Sequence, residues 1–157
     1  MAGSPGSPKK KNVDVYTDGA CRGNPGPGGW AAILLYRGHR KEISGFVPET
    51  TNNRMELTAA VRALERLKEP CAVALYSDSA YLVNAFTRNW IGRWARNGWR
   101  LAEKKGGVKN VDLWQALFTL SEYHDITFIK VAGHADDVNN NKCDALAVSE
   151  ISTNASL

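Results

Sequence analysis

The chain has 157 residues, 43% hydrophobic and 23% charged, with a net charge of +4. That is the composition of one globular domain able to bury roughly two thirds of its unfolded surface, and no apolar run approaches the ~20 residues needed to span a bilayer, so no membrane contact is expected. Its three cysteines, Cys21, Cys71 and Cys143, are an odd number at irregular spacing, which argues against a disulfide framework or zinc cluster and for a reducing, cytoplasmic setting.

In chain order, Met1 to Asn12 has no apolar core and does not read as a signal peptide. Residues 1–12 read as a disordered leader, 13–151 as the domain and 152–157 as a flexible tail. Val13 to Asp18 reads as a strand, with Val13, Val15 and Thr17 on one face and Asp14, Tyr16 and Asp18 on the other. Asp18 ends that strand before Gly19, at a sheet rim, where α/β proteins tend to bind ligands. An Asp before Gly also starts turns, so the position decides nothing alone. The run from Gly23 to Gly29 forms a tight loop with accessible N–H groups, and no Gly-Lys-Ser/Thr follows to make it a nucleotide loop. Trp30 to Tyr36 and Arg40 to Val47 read as two strands joined at Arg37-Gly38-His39.

Thr51-Asn52-Asn53 supplies cap chemistry for a helix whose apolar face is Leu57, Ala60, Val61, Leu64 and Leu67, closed by Pro70. Glu56 falls in its first turn, where the macrodipole alone would favour an acid. Ala72 to Ser77 is a strand running into Asp78; Ser79 opens a helix with Tyr81, Leu82 and Ala85. Trp90 to Arg96 reads as a short helix ended by Asn97-Gly98, and Trp99 to Lys109 as a basic loop. Asn110 then caps a helix marked by Val111, Trp114, Leu117 and Phe118. Ile126 to Val131 is the last strand and leads into a polar loop holding His134. The closing helix carries Cys143, Asp144, Leu146, Ala147 and Ile151, with Asp144 in its first turn. This order predicts an α/β fold: a mixed five-stranded sheet, three strands antiparallel and two added in parallel, flanked by helices.

Charge is unevenly spread. From Arg88 to Lys109 there are seven basic residues and one acid, a local +6; Lys9, Lys10 and Lys11 add +3, leaving −5 for the rest. A charge run is usually a solvated face. Here it is interleaved with Trp90, Trp94 and Trp99, and cations beside flat apolar groups suit a sugar-phosphate backbone.

Asp18 and Asp78 sit at strand ends, Glu56 and Asp144 at helix starts, positions that an α/β fold brings to one edge. Four carboxylates together repel unless a cation neutralises them. Oxygen-only ligands favour Mg²⁺, with Mn²⁺ as a substitute, and a pair of such ions suits phosphodiester cleavage. His134, on a loop, suits proton transfer near neutral pH; a plain surface histidine is the simpler reading without the neighbouring acids.

Five ordered stretches resemble the signatures of bacterial type 1 ribonuclease H: Thr17-Asp18-Gly19-Ala20-Cys21 with Gly23-Asn24-Pro25-Gly26, Thr51-Asn52-Asn53 with Met55-Glu56-Leu57, Ser77-Asp78-Ser79, Val131 with Gly133-His134, and Cys143-Asp144 with Leu146-Ala147. The Trp-rich basic segment resembles that family's basic protrusion. The resemblance implies an endonuclease, monomeric, that hydrolyses the RNA strand of an RNA/DNA hybrid with two metal ions and leaves 5′-phosphate and 3′-hydroxyl ends. It implies metal ligation by Asp18, Glu56, Asp78 and Asp144, and places His134 in a loop that aids turnover. Cys21, Asn24, Asn52 and Asn53 would line the hybrid's minor groove, where the 2′-hydroxyl tells RNA from DNA. Thr51 would contact a DNA phosphate. Trp90, Arg93, Trp94, Arg96, Trp99, Lys104 and Lys105 would hold the DNA strand. One departure is Asn141, where the family often has an acid. A nuclease of the same fold acting on DNA, and a non-catalytic binding module, are the competing expectations.

Overall fold

The computed structural model describes residues 10–100, 107–132 and 137–155. Five strands, β1 (Lys11–Cys21), β2 (Gly26–Tyr36), β3 (His39–Thr50), β4 (Cys71–Ser77) and β5 (Asp125–Lys130), form one sheet in the order β3-β2-β1-β4-β5. The β1/β2 and β2/β3 pairs are antiparallel, and β1/β4 and β4/β5 are parallel. The mixed sheet expected from the element order is the one observed.

Among the described residues five helices flank it: α1 (Asn52–Glu65), α2 (Ala80–Thr87), α3 (Trp90–Arg96), α4 (Val111–Tyr123) and α5 (Val138–Asn154). The apolar face read for α1 is buried: Leu57, Ala60 and Leu64 have no exposure and join Val13, Val15, Val73 and Leu75 of the sheet in the main core. Burying each such side chain contributes roughly 1.5–3 kcal/mol. Trp114 of α4, fully buried, extends this core under α2 and α3 through ring contacts to Tyr81, Phe86 and Trp94. On β1 and β2, α5 packs so closely that a Cβ at Gly29 would lie 2.1 Å from the Ala147 carbonyl oxygen.

Several boundaries move from their sequence-read positions, and pairing explains most. Strand β1 takes in Lys11 and Asn12, because they pair with Cys71 and Ala72 of β4, and Lys11 Nζ meets Glu69 Oε1 at 2.7 Å. At the other end β1 runs past Asp18 to Cys21, held by β2 through to the Cys21–Gly28 pair. The β2–β3 turn is only Arg37-Gly38, both at positive φ, so His39 already lies in β3. Helix α5 continues to Asn154, whose amide bonds the Glu150 carbonyl oxygen at 2.8 Å, so part of the expected tail is helical. Asn110 is not a side-chain cap: it is left-handed, and its amide bonds Arg54 and Tyr81 instead.

Candidate active site

Asp18 lies mid-strand with respect to β2, opposite Ala31, whereas the pairing of β1 with β4 stops at Tyr16–Tyr76. On the β4 side β1 therefore projects beyond the sheet, and Asp18 stands at that step. Asp78 follows the last residue of β4. The cap of α2 does not use it: Ser79 Oγ accepts from the Leu82 N–H at 3.1 Å, and Ser77 Oγ from the Ser79 N–H at 3.0 Å. Ser77 and Ser79 thus take the local turn chemistry and leave the Asp78 carboxylate to the site.

Glu56 is the fifth residue of α1, beyond its first turn, and is 5% exposed. The macrodipole does not account for an acid buried there. It arrives beside Asp18 because the start of α1 lies directly on β1: a Cβ at Gly19 would be 2.5 Å from the Glu56 nitrogen and the Met55 carbonyl carbon. Only glycine permits that approach.

Carboxylate oxygens of Asp18, Glu56 and Asp78 all lie within 4.8 Å of one another. Burial, then the Asp78 charge and then Asp144, push the Asp18 carboxyl up to about 8, against a Gly19 N–H that bonds Asp18 Oδ1 at 2.9 Å and pulls it down. Burial raises Glu56 well above the ordinary range, with Asp18 and Asp78 adding to it. Its buried Oε1 has no hydrogen-bond partner among the described residues. Like charges, desolvated, with an orphaned oxygen, fit a divalent cation with oxygen ligands. Asp144 is exposed, the seventh residue of α5 and so in its second turn, and within hydrogen-bonding reach of Asp18. The Cys143 thiol beside it is buried against β1 and bonds the Tyr16 carbonyl oxygen at 3.3 Å, which ties this part of α5 to the rim.

A groove of about 500 Å³ is lined by Asn24, Thr51, Asn52, Asn53, Lys109 and Asn110. It joins three separate segments. Asn24 Oδ1 accepts from the Asn52 N–H at 2.8 Å, tying the glycine-rich loop to the start of α1. Thr51 caps that helix, its Oγ1 accepting from the Arg54 N–H at 3.2 Å. Cys21 Sγ, half-buried, bonds the carbonyl oxygens of Gly26 and Thr50 at 3.6 and 3.5 Å and closes the loop's base. Lys109 and Asn110 were absent from the substrate-binding set read from the sequence; the basic run that ends on Lys109 was the available signal.

A second cavity, about 620 Å³, is lined by Arg93, Trp94, Arg96, Asn97 and Arg100. The tryptophans beside it face inward to a large degree. Trp94 packs edge-on to Trp114 at 5.3 Å, Trp99 edge-on to Phe118 at 5.9 Å, and all three of Trp90, Trp94 and Trp99 pack partly buried on the core. Arg88 lies over the Trp90 ring at 5.9 Å. His134, Lys104 and Lys105 lie outside the described residues.

The RNase H family model matches residues 10–152. This chain belongs to the ribonuclease H family. Its relatives include the Ribonuclease H of Acetivibrio thermocellus, 60% identical over 92% of this chain and 98% of that protein, and the Ribonuclease H of Chlorobaculum parvum, 61% identical over 88% and 94%. The RNase H fold is matched too. The crystal structure of LC9-RNase H1, a type 1 RNase H with the type 2 active-site motif, aligns with a TM-score of 0.80 at 32% identity, over 94% of this chain and 75% of that one. LC11-RNase H1 in complex with RNA/DNA hybrid aligns at 0.70 and 23% identity, over 90% and 97%, a likeness of fold. As a member of this RNase H family the chain is a nuclease, with an acidic cluster suited to divalent metal. No helix among the described residues is long and apolar enough to cross a membrane.

Proposed function

We propose that this protein is a monomeric endonuclease that hydrolyses the RNA strand of RNA/DNA hybrids by a two-metal-ion mechanism, leaving 5′-phosphate and 3′-hydroxyl ends. The observation that carries the reading is the convergence of Asp18, Glu56 and Asp78 within 4.8 Å in a chain of the ribonuclease H family. The hybrid bound by the structural neighbour supports the substrate class.

Asp18, Glu56, Asp78 and Asp144 would hold the ions, with Mg²⁺ the natural choice for all-oxygen ligands and Mn²⁺ a substitute. Bound there, the ions supply an activated water and neutralise the charge developing on the leaving oxygen. The protein's own part is positional. Asn24, Asn52 and Asn53 offer amide donors and acceptors to 2′-hydroxyls and base edges, and Thr51 with Lys109 offers an O–H and a cation to phosphate. Arg93 and Arg96 hold the backbone farther out, and Lys104 and Lys105 follow in the same basic run of the sequence. His134 aids turnover, at proton transfer or at product release, so His134→Ala lowers kcat more than it raises KM.

The test is cleavage of an end-labelled RNA/DNA hybrid beside single-stranded RNA, duplex RNA and duplex DNA, with Mg²⁺ and with chelator. Metal-dependent cutting of the RNA strand of the hybrid alone is the expected result. Faster cutting of duplex DNA overturns the substrate assignment, and a hybrid bound but uncut in millimolar Mg²⁺ turns the protein into a binding module.

A further inference from the structure

Asp18 and Asp78 meet in the same cluster, but the backbone N–H that follows each goes to a different acceptor. After Asp18, the Gly19 N–H donates to Asp18 Oδ1 at 2.9 Å, so the neighbouring peptide holds one oxygen of that carboxylate. After Asp78, the Ser79 N–H donates to Ser77 Oγ at 3.0 Å. The two acids are also held differently by the sheet. Strand β1 pairs with β2 on both sides of Asp18, through to Cys21. Pairing of β4 stops at Tyr76 toward β1 and at Ser77 toward β5, so Asp78 has no ladder on either side. The turn into α2 is what fixes its backbone. Ser77, fully buried, is tied to the chain after β5 by its carbonyl oxygen, which accepts from the Val131 N–H at 2.9 Å. Ser79 is committed to the helix: its Oγ accepts from the Leu82 N–H at 3.1 Å and its carbonyl oxygen from the Val83 N–H at 3.0 Å. Ser79 is itself buried, and a buried N–H needs an acceptor. Without the Ser77 hydroxyl, the adjacent Asp78 carboxylate is the acceptor that remains in the turn, as Asp18 is for Gly19. An ionised acceptor binds an N–H more strongly than a hydroxyl does, so the carboxylate would be drawn to it.

We propose that Ser77 is a positioning residue for Asp78: its hydroxyl oxygen takes the Ser79 N–H and so keeps both oxygens of the Asp78 carboxylate for a divalent cation. The proposal rests on the metal-holding reading of the acidic rim above. It gives the two strand-borne acids different parts. Asp18 enters the cluster with one oxygen already bonded to its own chain, whereas Asp78 enters with its following N–H diverted to a neighbour. Ser77 acts through Asp78 alone and touches neither cation nor nucleic acid.

The experiment compares wild type, Ser77→Ala, Ser77→Cys and Ser77→Thr in Mg²⁺ titrations. Two readouts are followed: the rise in melting temperature of the protein alone, and the Mg²⁺ dependence of hybrid cleavage. Thr keeps the hydroxyl, while Cys fills the space of Ser but offers only a weak acceptor. Ser77→Ala should raise the Mg²⁺ concentration for half-saturation about tenfold in both readouts. Ser77→Cys should shift it in the same direction, and Ser77→Thr should titrate with wild type. At saturating Mg²⁺ the Ala variant should recover most of its kcat, with KM for hybrid unchanged. A role in packing alone would lower the melting temperature in chelator and leave the Mg²⁺ titration where it was. Coincident Mg²⁺ titrations of wild type, Ser77→Ala and Ser77→Cys overturn the assignment; if Ser77→Ala does not fold, the Cys variant decides it. If wild type neither gains stability from Mg²⁺ nor needs it for cleavage, the metal-holding reading itself fails. If wild type responds and the variants respond alike, only the role of Ser77 falls.

Discussion

The two charge concentrations of this molecule are built in opposite ways. The acidic rim is carried on β1, α1 and the end of β4, elements whose other faces form the core, and two of its three clustered carboxylates are buried. The basic arm is carried on the short α3 and the chain beyond it, with Arg93, Arg96 and Arg100 exposed and the intervening tryptophans turned inward. The rim concentrates like charge where water is scarce, which raises the proton affinity of Asp18 and Glu56 and suits the cluster to a divalent cation. The arm spreads like charge where water is plentiful and spends its aromatic surface on anchorage. The rim is thus like charge gathered against the core, and the arm like charge spread in solvent on a scaffold that the core holds in place.

Removing one rim ligand should have the largest effect. Asp18→Asn is expected to lower hybrid cleavage by a factor on the order of 10³ or more while circular dichroism stays native, because the variant would lose a proposed metal ligand and no core packing. An unfolded variant would show that Asp18 belongs to the fold instead. Second in size is the anchorage of the arm. Trp94→Ala should cost about 2–4 kcal/mol of unfolding free energy, since the ring packs edge-on to the buried Trp114. A variant that melts like wild type but binds hybrid poorly would make that ring a stacking surface for bases, and the contrast with the rim would narrow.

Neutralising Arg93, Arg96, Lys104 and Lys105 together should weaken hybrid binding about tenfold or more and flatten its dependence on log salt by up to about 3. An unchanged slope removes the arm from the interface. The smallest effect expected concerns the rim's own strain. Asp18 holds its proton up to about pH 8 in the folded protein and to about 3.8 when unfolded. The folded state thus binds more protons between those values, and in chelator its stability is fullest below about pH 4 and falls as pH rises toward 8. Asp18→Asn should then melt higher than wild type at pH 8 in chelator, and Mg²⁺ should raise the melting temperature of wild type more than that of the variant. Equal melts for the two proteins at pH 8 in chelator would mean that the rim is hydrated and unstrained.

Short-range features were legible in the sequence. The bounds of α3, the cap chemistry at Thr51, the buried face of α1 and the succession of strands and helices along the chain follow from preferences that act within a few residues. All four carboxylates were legible as candidates from their local settings and family motifs. Their meeting at one edge was expected from the fold class; how the chain brings them there was not legible. Asp18 reads as a strand end because Gly19 follows it; only the pairing with β2 carries the strand on to Cys21, and only the earlier stop of β4 makes Asp18 a rim residue. Glu56 reads as a first-turn acid; only the contact at Gly19 buries it beside Asp18 and removes the macrodipole explanation. Asn110 reads as a cap; Arg54 and Tyr81, 56 and 29 residues away, decide what its amide does. The sequence by itself determined which residues could form helices, strands and turns, because those preferences are local. The tertiary structure decided how far each strand runs, which acids lose their water and which polar groups meet, because those depend on partners distant in the chain.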